Sequence, residues 1–298
     1  MGSRAKDIAK LIRPQQWVKN LFILLPIFFG HRFDHPGVWP RMMLLFAIFS
    51  LTASSIYVFN DICDRAIDRL HPIKKNRPIA SGRLSLASAY TLELLLLVGA
   101  FSLVWLAPYT DRAWYLSGAL VGVYLLLNLV YSLRGKHWPV IDAFFVASGF
   151  VLRVEAGGIV AQTPVSHWLF LMVLFLSLLL AFGKRQEDIN LATKSNETTR
   201  PVVNRYSTPF LQSVFGMIAA ILIVLYTLYC LDETTMQLHS PYLYTTVPLV
   251  ALGLLYYLRR VVVDGRYCNP TDMLFRDRGL QLIALSWALL FFLLSYVF

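Results

Sequence analysis

Charge and cysteine are both scarce in this chain. Only 15% of its 298 residues are charged, and cysteine occurs three times. Cys63, Cys230 and Cys268 lie far apart with no paired spacing, which excludes a disulfide framework and a cysteine-held zinc site. Cys63 reads as a small filler in an acidic helix. No small-residue cleavage pattern follows the first apolar run, so the basic N-terminus is expected to stay rather than be removed as a signal peptide. Acidic side chains are outnumbered 17 to 27 by Lys and Arg, a net charge of +10. Nucleic acid is not needed to explain that excess, because the inner face of a membrane protein is basic by topology and by attraction to anionic lipid.

What is abundant is hydrocarbon. With 57% apolar residues and a mean hydropathy of +0.58, the chain is too apolar for a soluble globular domain and reads as an integral membrane protein. Nine segments of about 17 to 25 residues are long enough to span a hydrocarbon core of about 30 Å. They lie near 17–33, 41–59, 86–107, 113–133, 140–160, 165–183, 209–230, 242–260 and 279–298, which predicts an all-α membrane protein of nine helices in one domain, 1–298. Pro26 interrupts the first span, while Asp142, Arg153 and Glu155 interrupt the fifth.

With the N-terminus in the cytosol, 23 of the 27 Lys and Arg fall on the inside, three (Arg32, Arg41, Arg112) fall outside, and Arg153 lies within a span. That asymmetry predicts a multi-pass protein of a bacterial-type plasma membrane, with the C-terminus outside. Residues 1–16 read as an interfacial segment turning into the membrane at Pro14. The polar stretches 60–83, 184–208 and 261–278 read as cytosolic loops.

The densest of these, YVFNDICDRAIDRLHPIKKNRPIASGR from Tyr57 to Arg83, follows directly on an apolar run. If the helix continues through residue 69, Asp61, Asp64 and Asp68 are separated by rotations of about 300° and 700° and share a face. Stacked carboxylates repel, and a hard cation relieves this. Mg²⁺ characteristically takes one or two carboxylates and completes its shell with substrate phosphate oxygens. Lys74, Arg77 and their basic neighbours can hold further phosphate oxygens. Carboxylates this close to hydrocarbon are costly unless they serve a function.

A second charged cluster, GKRQEDIN at 183–190, follows the sixth span, with Lys184, Arg185, Glu187 and Asp188 on adjoining turns. Tyr131 and Lys136 sit at the cytosolic mouth of the fourth span, next to Asp142 one turn into the fifth. Lys19 and Asn20, at the start of the first span, are either lipid-snorkelling or phosphate-binding residues. Glu93 is expected to face the bundle interior with a partner. Asp142 and Arg153, eleven residues apart, share a helix face but are about 16 Å apart along it, so Arg153 needs another partner, either Glu93 or a carbonyl near Ala156, Gly157 and Gly158.

N-D-I-C-D-R-A-I-D, from Asn60 to Asp68, resembles the first motif, N-D-x-x-D-x-x-x-D, of the UbiA superfamily of intramembrane prenyltransferases. The resemblance implies a helical bundle with a central cavity opening to cytosolic cap loops, where Mg²⁺ binds a diphosphate. Asn60, Asp61, Asp64 and Asp68 would then be the metal site, and the three aspartates catalytic. The second motif departs: where most members carry D-x-x-x-D, this chain has Gly183, Lys184, Arg185, Gln186 and Glu187. With RPxQWVKN (Arg13–Asn20), HPxKxxRPIASG (His71–Gly82) and FRDRGLQ near the last span, this pattern looks like a branch that uses 5-phosphoribosyl 1-diphosphate as donor and a polyprenyl phosphate lipid as acceptor. The resemblance implies substrate-binding roles for Lys19, Asn20, Asn60, Lys74, Arg77, Tyr131, Lys136, Asp142, Lys184, Arg185 and Glu187. Two other readings stay open: prenyl transfer to an aromatic acceptor, and a transporter or lipid-binding protein. The sequence leaves a homo-oligomer open.

Overall fold

The computed structural model describes residues 2–71, 74–195, 206–264, 273 and 276–297. Its α-helices are α1 (Gly2–Ile12), α2 (Leu25–Phe29), α3 (Val38–Cys63), α4 (Arg65–Leu70), α5 (Leu86–Trp105), α6 (Arg112–Leu133), α7 (Ile141–Val160), α8 (His167–Ser195), α9 (Thr208–Leu231), α10 (Glu233–Leu238), α11 (Val247–Val262) and α12 (Arg278–Phe292). Starts are fixed by side-chain caps: Ser85, Asp111, Ser207, Asp232 and Asp277 each accept a backbone N–H from the first turn of the helix that follows. No strand occurs among the described residues. Among the described residues eight helices are long and apolar enough to cross a membrane, matching the second to ninth expected spans.

The first expected span, 17–33, is built differently. Pro14–Leu24 is a 3-10 helix, and α2 follows it. Proline stands near the start of each piece, where its missing N–H costs nothing, so neither can extend a longer α-helix backwards. An eleven-residue 3-10 helix is unusual, but its neighbour explains it. Trp17 Nε1 donates to Ser54 Oγ and Asn20 Nδ2 to Ser50 Oγ, both at 3.0 Å. Three residues of 3-10 helix rise about 6 Å, as do four residues of α-helix, so two antiparallel ladders, one with each pitch, stay in register. The 3-10 segment and α2 together rise about 30 Å by the same arithmetic.

The chain divides into two compact units, residues 1–138 with 148–165, and residues 139–147 with 166–298. In the first unit α3 is the centre, packed against α1, the 3-10 segment, α5 and α6. Its run of small residues, Ser50, Thr52, Ala53, Ser54 and Ser55, is buried and lets neighbours approach closely. Gly157 of α7 does the same for the 3-10 segment: a Cβ there would lie 2.1 Å from the Ile23 carbonyl oxygen.

Arg153 is buried in this unit, and its partners are not the expected ones. Nε donates to Asn20 Oδ1 (2.7 Å), Nη1 to the Gly149 carbonyl (2.7 Å) and Nη2 to the Tyr124 hydroxyl (2.8 Å). Phe49, Tyr124 and Phe150 surround the guanidinium. Glu93 makes no hydrogen bond among the described residues, because α5 is mostly outward-facing and leaves it half-exposed.

The second unit is organised around α8, α9 and α11, with Phe182, Leu211, Phe215, Ile218, Leu222 and Tyr257 in its core. The expected loop 184–208 begins as helix: α8 runs to Ser195, three turns further than the apolar pattern suggests. Residues 184–195 contain neither Gly nor Pro, and their Lys, Arg, Gln and Glu are good helix formers, so nothing local stops the helix. Residues 196–205 and most of 265–275 lie outside the described residues.

Candidate active site

α3 carries the acidic motif to its C-terminal end. The helix turns at Asp64, and α4 resumes at Arg65 with the Asp68 N–H donating to the Asp64 carbonyl at 2.8 Å. Asp61 and Asp68 are buried, whereas Asp64 is half-buried. Arg77, returning in the loop after α4, donates from Nη1 to Asp61 Oδ1 (3.0 Å) and to Asp68 Oδ2 (2.7 Å). Both carboxylates therefore point at one cationic nitrogen, with their oxygens within about 6 Å of each other. Asp64 turns elsewhere: Lys136 Nζ meets its Oδ1 at 2.5 Å, and Asn60 Nδ2 donates to its Oδ2 at 3.2 Å. Six expected site residues thus fall into two adjoining sets, Asp61, Asp68 and Arg77 in one and Asn60, Asp64 and Lys136 in the other.

Arg13 is a member of the first set that sequence reasoning missed. Its Nη2 donates to Asp61 Oδ1 at 2.6 Å, and its guanidinium lies over the Tyr57 ring. The only clue was its place at the head of RPxQWVKN. The residue adopts a left-handed backbone, φ 50°, at the junction between α1 and the 3-10 segment, a conformation that costs a non-glycine residue about 1–2 kcal/mol. α1 is not merely interfacial. Leu11 is fully buried with Val58, Ile79, Leu84 and Ala89, and Arg83 Nε donates to both oxygens of Asp7 (3.0 and 3.1 Å). Gly82, at φ 79°, supplies the turn that brings Arg83 back. A cleft of about 260 Å³ lies beside this network, lined by Lys10, Arg13, Asp61, Asn76, Arg77 and Pro78.

Among the described residues no three of His, Cys, Asp or Glu converge into a ready-made metal cage. Two oxygen donors aimed at one cationic point nevertheless suit a hard divalent ion that takes the rest of its shell from substrate phosphate and water. Asp61 and Asp68 would hold it, and Asp64 with Asn60 adjoins them.

In the second unit, Asp142 and Arg185 find each other. Arg185 Nε donates to Asp142 Oδ2 at 2.6 Å, and Arg185 also lies 3.5 Å from Asp188. Tyr206, not anticipated from sequence, donates its hydroxyl to Asp142 Oδ1 (2.7 Å) and accepts the Val140 N–H (2.5 Å). Burial and the adjacent carboxylate push the Tyr206 hydroxyl above its ordinary pKa, so it stays a donor. Val140 is left-handed at φ 70°, an outlier for a β-branched residue. Lys184 and Glu187 lie half-buried on the same turns of α8. Gly183 faces Tyr257, whose hydroxyl oxygen would lie 2.4 Å from a Cβ at 183.

Asn20 is fully buried and committed to Ser50 and Arg153. Lys19, Lys74 and Tyr131 are half-buried, and the Lys74 N–H donates to His71 Nδ1 at 3.3 Å.

Comparison with known proteins places this geometry. The model of the UbiA prenyltransferase family matches residues 23–267. A decaprenyl-phosphate phosphoribosyltransferase of Mycolicibacterium smegmatis is 33% identical over 296 residues, covering 94% of this chain and 89% of that relative. One from Corynebacterium glutamicum is 34% identical over 300 residues, covering 98% and 88%. Among solved structures, a UbiA homolog from Archaeoglobus fulgidus bound to GPP and Mg²⁺ shares the fold with a TM-score of 0.70 at 18% identity, covering 97% of this chain and 99% of that one. A sequence likeness spanning most of the chain, joined to a common fold, leads to one placement: the chain belongs to the UbiA prenyltransferase family.

Proposed function

We propose that this chain is a membrane transferase that moves a 5-phosphoribosyl group from 5-phosphoribosyl 1-diphosphate to a decaprenyl-type polyprenyl phosphate, releasing diphosphate. The relatives named decaprenyl-phosphate phosphoribosyltransferase support the substrates. The observation that carries the chemistry is the convergence of Asp61 and Asp68 on one cationic position. A divalent cation held there, Mg²⁺ in this reading and in keeping with the metal-bound homolog, would neutralise charge on the departing diphosphate.

The protein's own part is to hold anions and keep them oriented. Arg77 and Arg13, beside Asp61, supply positive charge for the anionic groups of the substrates, and the diphosphate leaves with the electron pair of the C1–O bond. Asn60 and Lys136 fix Asp64. The ribose C1 becomes oxocarbenium-like, and a lipid phosphate oxygen, already anionic, forms the new bond without a strong general base. Lys19, Lys74, Tyr131, Lys184 and Glu187 are the remaining candidates for contacts to the two substrates, with Asn20, Asp142 and Arg185 supporting them from within the packing.

In this reading residues 1–298 act as one membrane domain, with the N-terminus and the loops at 60–83, 184–208 and 261–278 on the cytosolic side. The charge asymmetry of Lys and Arg supports that orientation. The 30 Å rise of the 3-10 segment with α2 supports a ninth crossing.

The test offers purified protein 5-phosphoribosyl 1-diphosphate or a prenyl diphosphate, each with polyprenyl phosphate or an aromatic acid, and measures released pyrophosphate with and without EDTA. Release is expected only with the phosphoribosyl donor plus the lipid phosphate, and EDTA should abolish it. Release from the prenyl donor and the aromatic acid alone would overturn the assignment, and turnover undiminished by EDTA would remove the metal.

A further inference from the structure

The cleft beside the acidic cluster has a charge pattern of its own. Lys10 comes from the last turn of α1, Arg13 from the left-handed junction, and Arg77 from the loop after α4, so three separate segments each bring one cation to a volume of about 260 Å³. Among the described residues the lining has a single carboxylate, that of Asp61, which is almost wholly buried, whereas Arg13 and Arg77 keep about a quarter of their side-chain surface exposed. Asp68 compensates Arg77 alone. Positive charge is therefore in surplus on the open side.

The walls are also preorganised. Asp7 and Arg83 lock α1 in place, Arg83 Nη2 donates to the Asn76 carbonyl (2.7 Å), and Ser54 Oγ donates to the Ile12 carbonyl (2.8 Å) immediately before Arg13. These bonds hold the backbone that carries Lys10 and Arg13, with a strained conformation at Arg13. Cations carried on a held backbone around a small open volume suit a compact dianion, since the backbone part of the ordering cost is met before the ligand arrives. The volume falls below that of sites that enclose a whole drug-sized ligand, so it suits one headgroup.

We propose that this cleft is a phosphate-monoester subsite, with Lys10, Arg13 and Arg77 as its clamp, separate from the carboxylates that face the departing diphosphate. The inference rests on the phosphoribosyl-transfer reading for its place in the reaction, where two monoesters qualify: the 5-phosphate of the donor and the phosphate of the lipid acceptor.

The experiment is calorimetric titration of the full-length protein in nanodiscs, in EDTA, with ribose 5-phosphate and separately with farnesyl phosphate. Wild-type protein should bind at least one. Lys10→Gln, a change at an exposed position with no bearing on folding, and Arg13→Gln should each weaken that binding about tenfold, the scale of one hydrogen bond to a charged group. Lys6→Gln, on α1 but outside the lining, should not. Loss confined to ribose 5-phosphate assigns the donor end, and loss confined to farnesyl phosphate assigns the lipid end. If neither ligand binds, or binding is the same in Lys10→Gln as in wild type, the subsite is overturned. Pyrophosphate release is measured in parallel: cleft-dependent binding without phosphoribosyl turnover would keep the subsite and remove the functional reading, and turnover with cleft-independent binding would do the reverse.

Discussion

The two compact units each hold a cluster of carboxylate and cation, and they differ in what surrounds it. In the first unit the cations Arg13, Arg77 and Lys136 keep 27%, 26% and 17% of their side-chain surface exposed. In the second, Asp142 and Arg185 keep 0% and 3%. Each cluster sits beside one non-glycine residue in a left-handed conformation, Arg13 and Val140. Arg13 aims a charged side chain at a cleft, whereas Val140 turns only its N–H to the Tyr206 hydroxyl. Openness, rather than charge, separates a place where a ligand can exchange from a brace that fixes backbone. Sequence reasoning gave both clusters binding roles from their charges, and exposure is what the structure adds.

The largest expected effect is on stability, in the sealed cluster. Arg185→Met leaves the buried Asp142 carboxylate with Tyr206 as its hydrogen-bond partner among the described residues and should cost about 3–5 kcal/mol, while Asp142→Leu combined with Arg185→Met should recover most of that. Thermal unfolding of the purified variants in detergent checks both. A single variant as stable as wild type would show that the pair is not a brace. Next comes Asp61→Asn in the open cluster, expected to lower turnover at least about a hundredfold while shifting stability by no more than about 1 kcal/mol, because Arg13 and Arg77 can turn to water. Pyrophosphate release and unfolding are read on the same preparation. A large stability loss with turnover retained would reverse the roles of the two clusters. Lys136→Gln is smaller, about tenfold in turnover, through Asp64 losing its cation.

How far the fold was legible follows from which signals are local. Eight spans were readable because apolar runs between capped, polar junctions carry their own information. The 3-10 segment was not, since its pitch is set by Ser50 and Ser54 some thirty residues away in the chain. The end of α8 was misplaced because hydropathy marks where hydrocarbon stops and not where a helix does. Within the site, spacing marked Asn60, Asp61, Asp64 and Asp68 as one cluster on one helix, but the break at Asp64, which turns that residue away from Asp61 and Asp68, was not legible. Arg77 was legible from its neighbourhood, but its bridging of Asp61 and Asp68 was not. Arg13 and Tyr206 reach their partners only through tertiary packing, and no spacing rule connects residue 13 to 61 or 206 to 142. Asn20, left between lipid snorkelling and phosphate binding by its sequence position, is instead seen bonded to Ser50 and Arg153, partners that no local spacing connects to it.

The finest distinction between the clusters lies in Tyr206. Its hydroxyl links the Val140 N–H to the Asp142 carboxylate, and removing it in Tyr206→Phe takes a partner from one backbone N–H and one carboxylate oxygen, a loss of about 1 kcal/mol. Because burial, followed by the bond to Asp142, raises the folded-state pKa, the unfolded chain releases this proton first as pH rises. The stabilisation is whole below the ordinary tyrosine value near 10 and is lost as pH climbs from there through the raised folded-state value. Wild-type protein should therefore lose stability more steeply than Tyr206→Phe above about pH 10, and the two should run parallel below it. Parallel curves across the whole range would mean that the hydroxyl titrates as if solvated, and the second cluster would then be open in the same sense as the first.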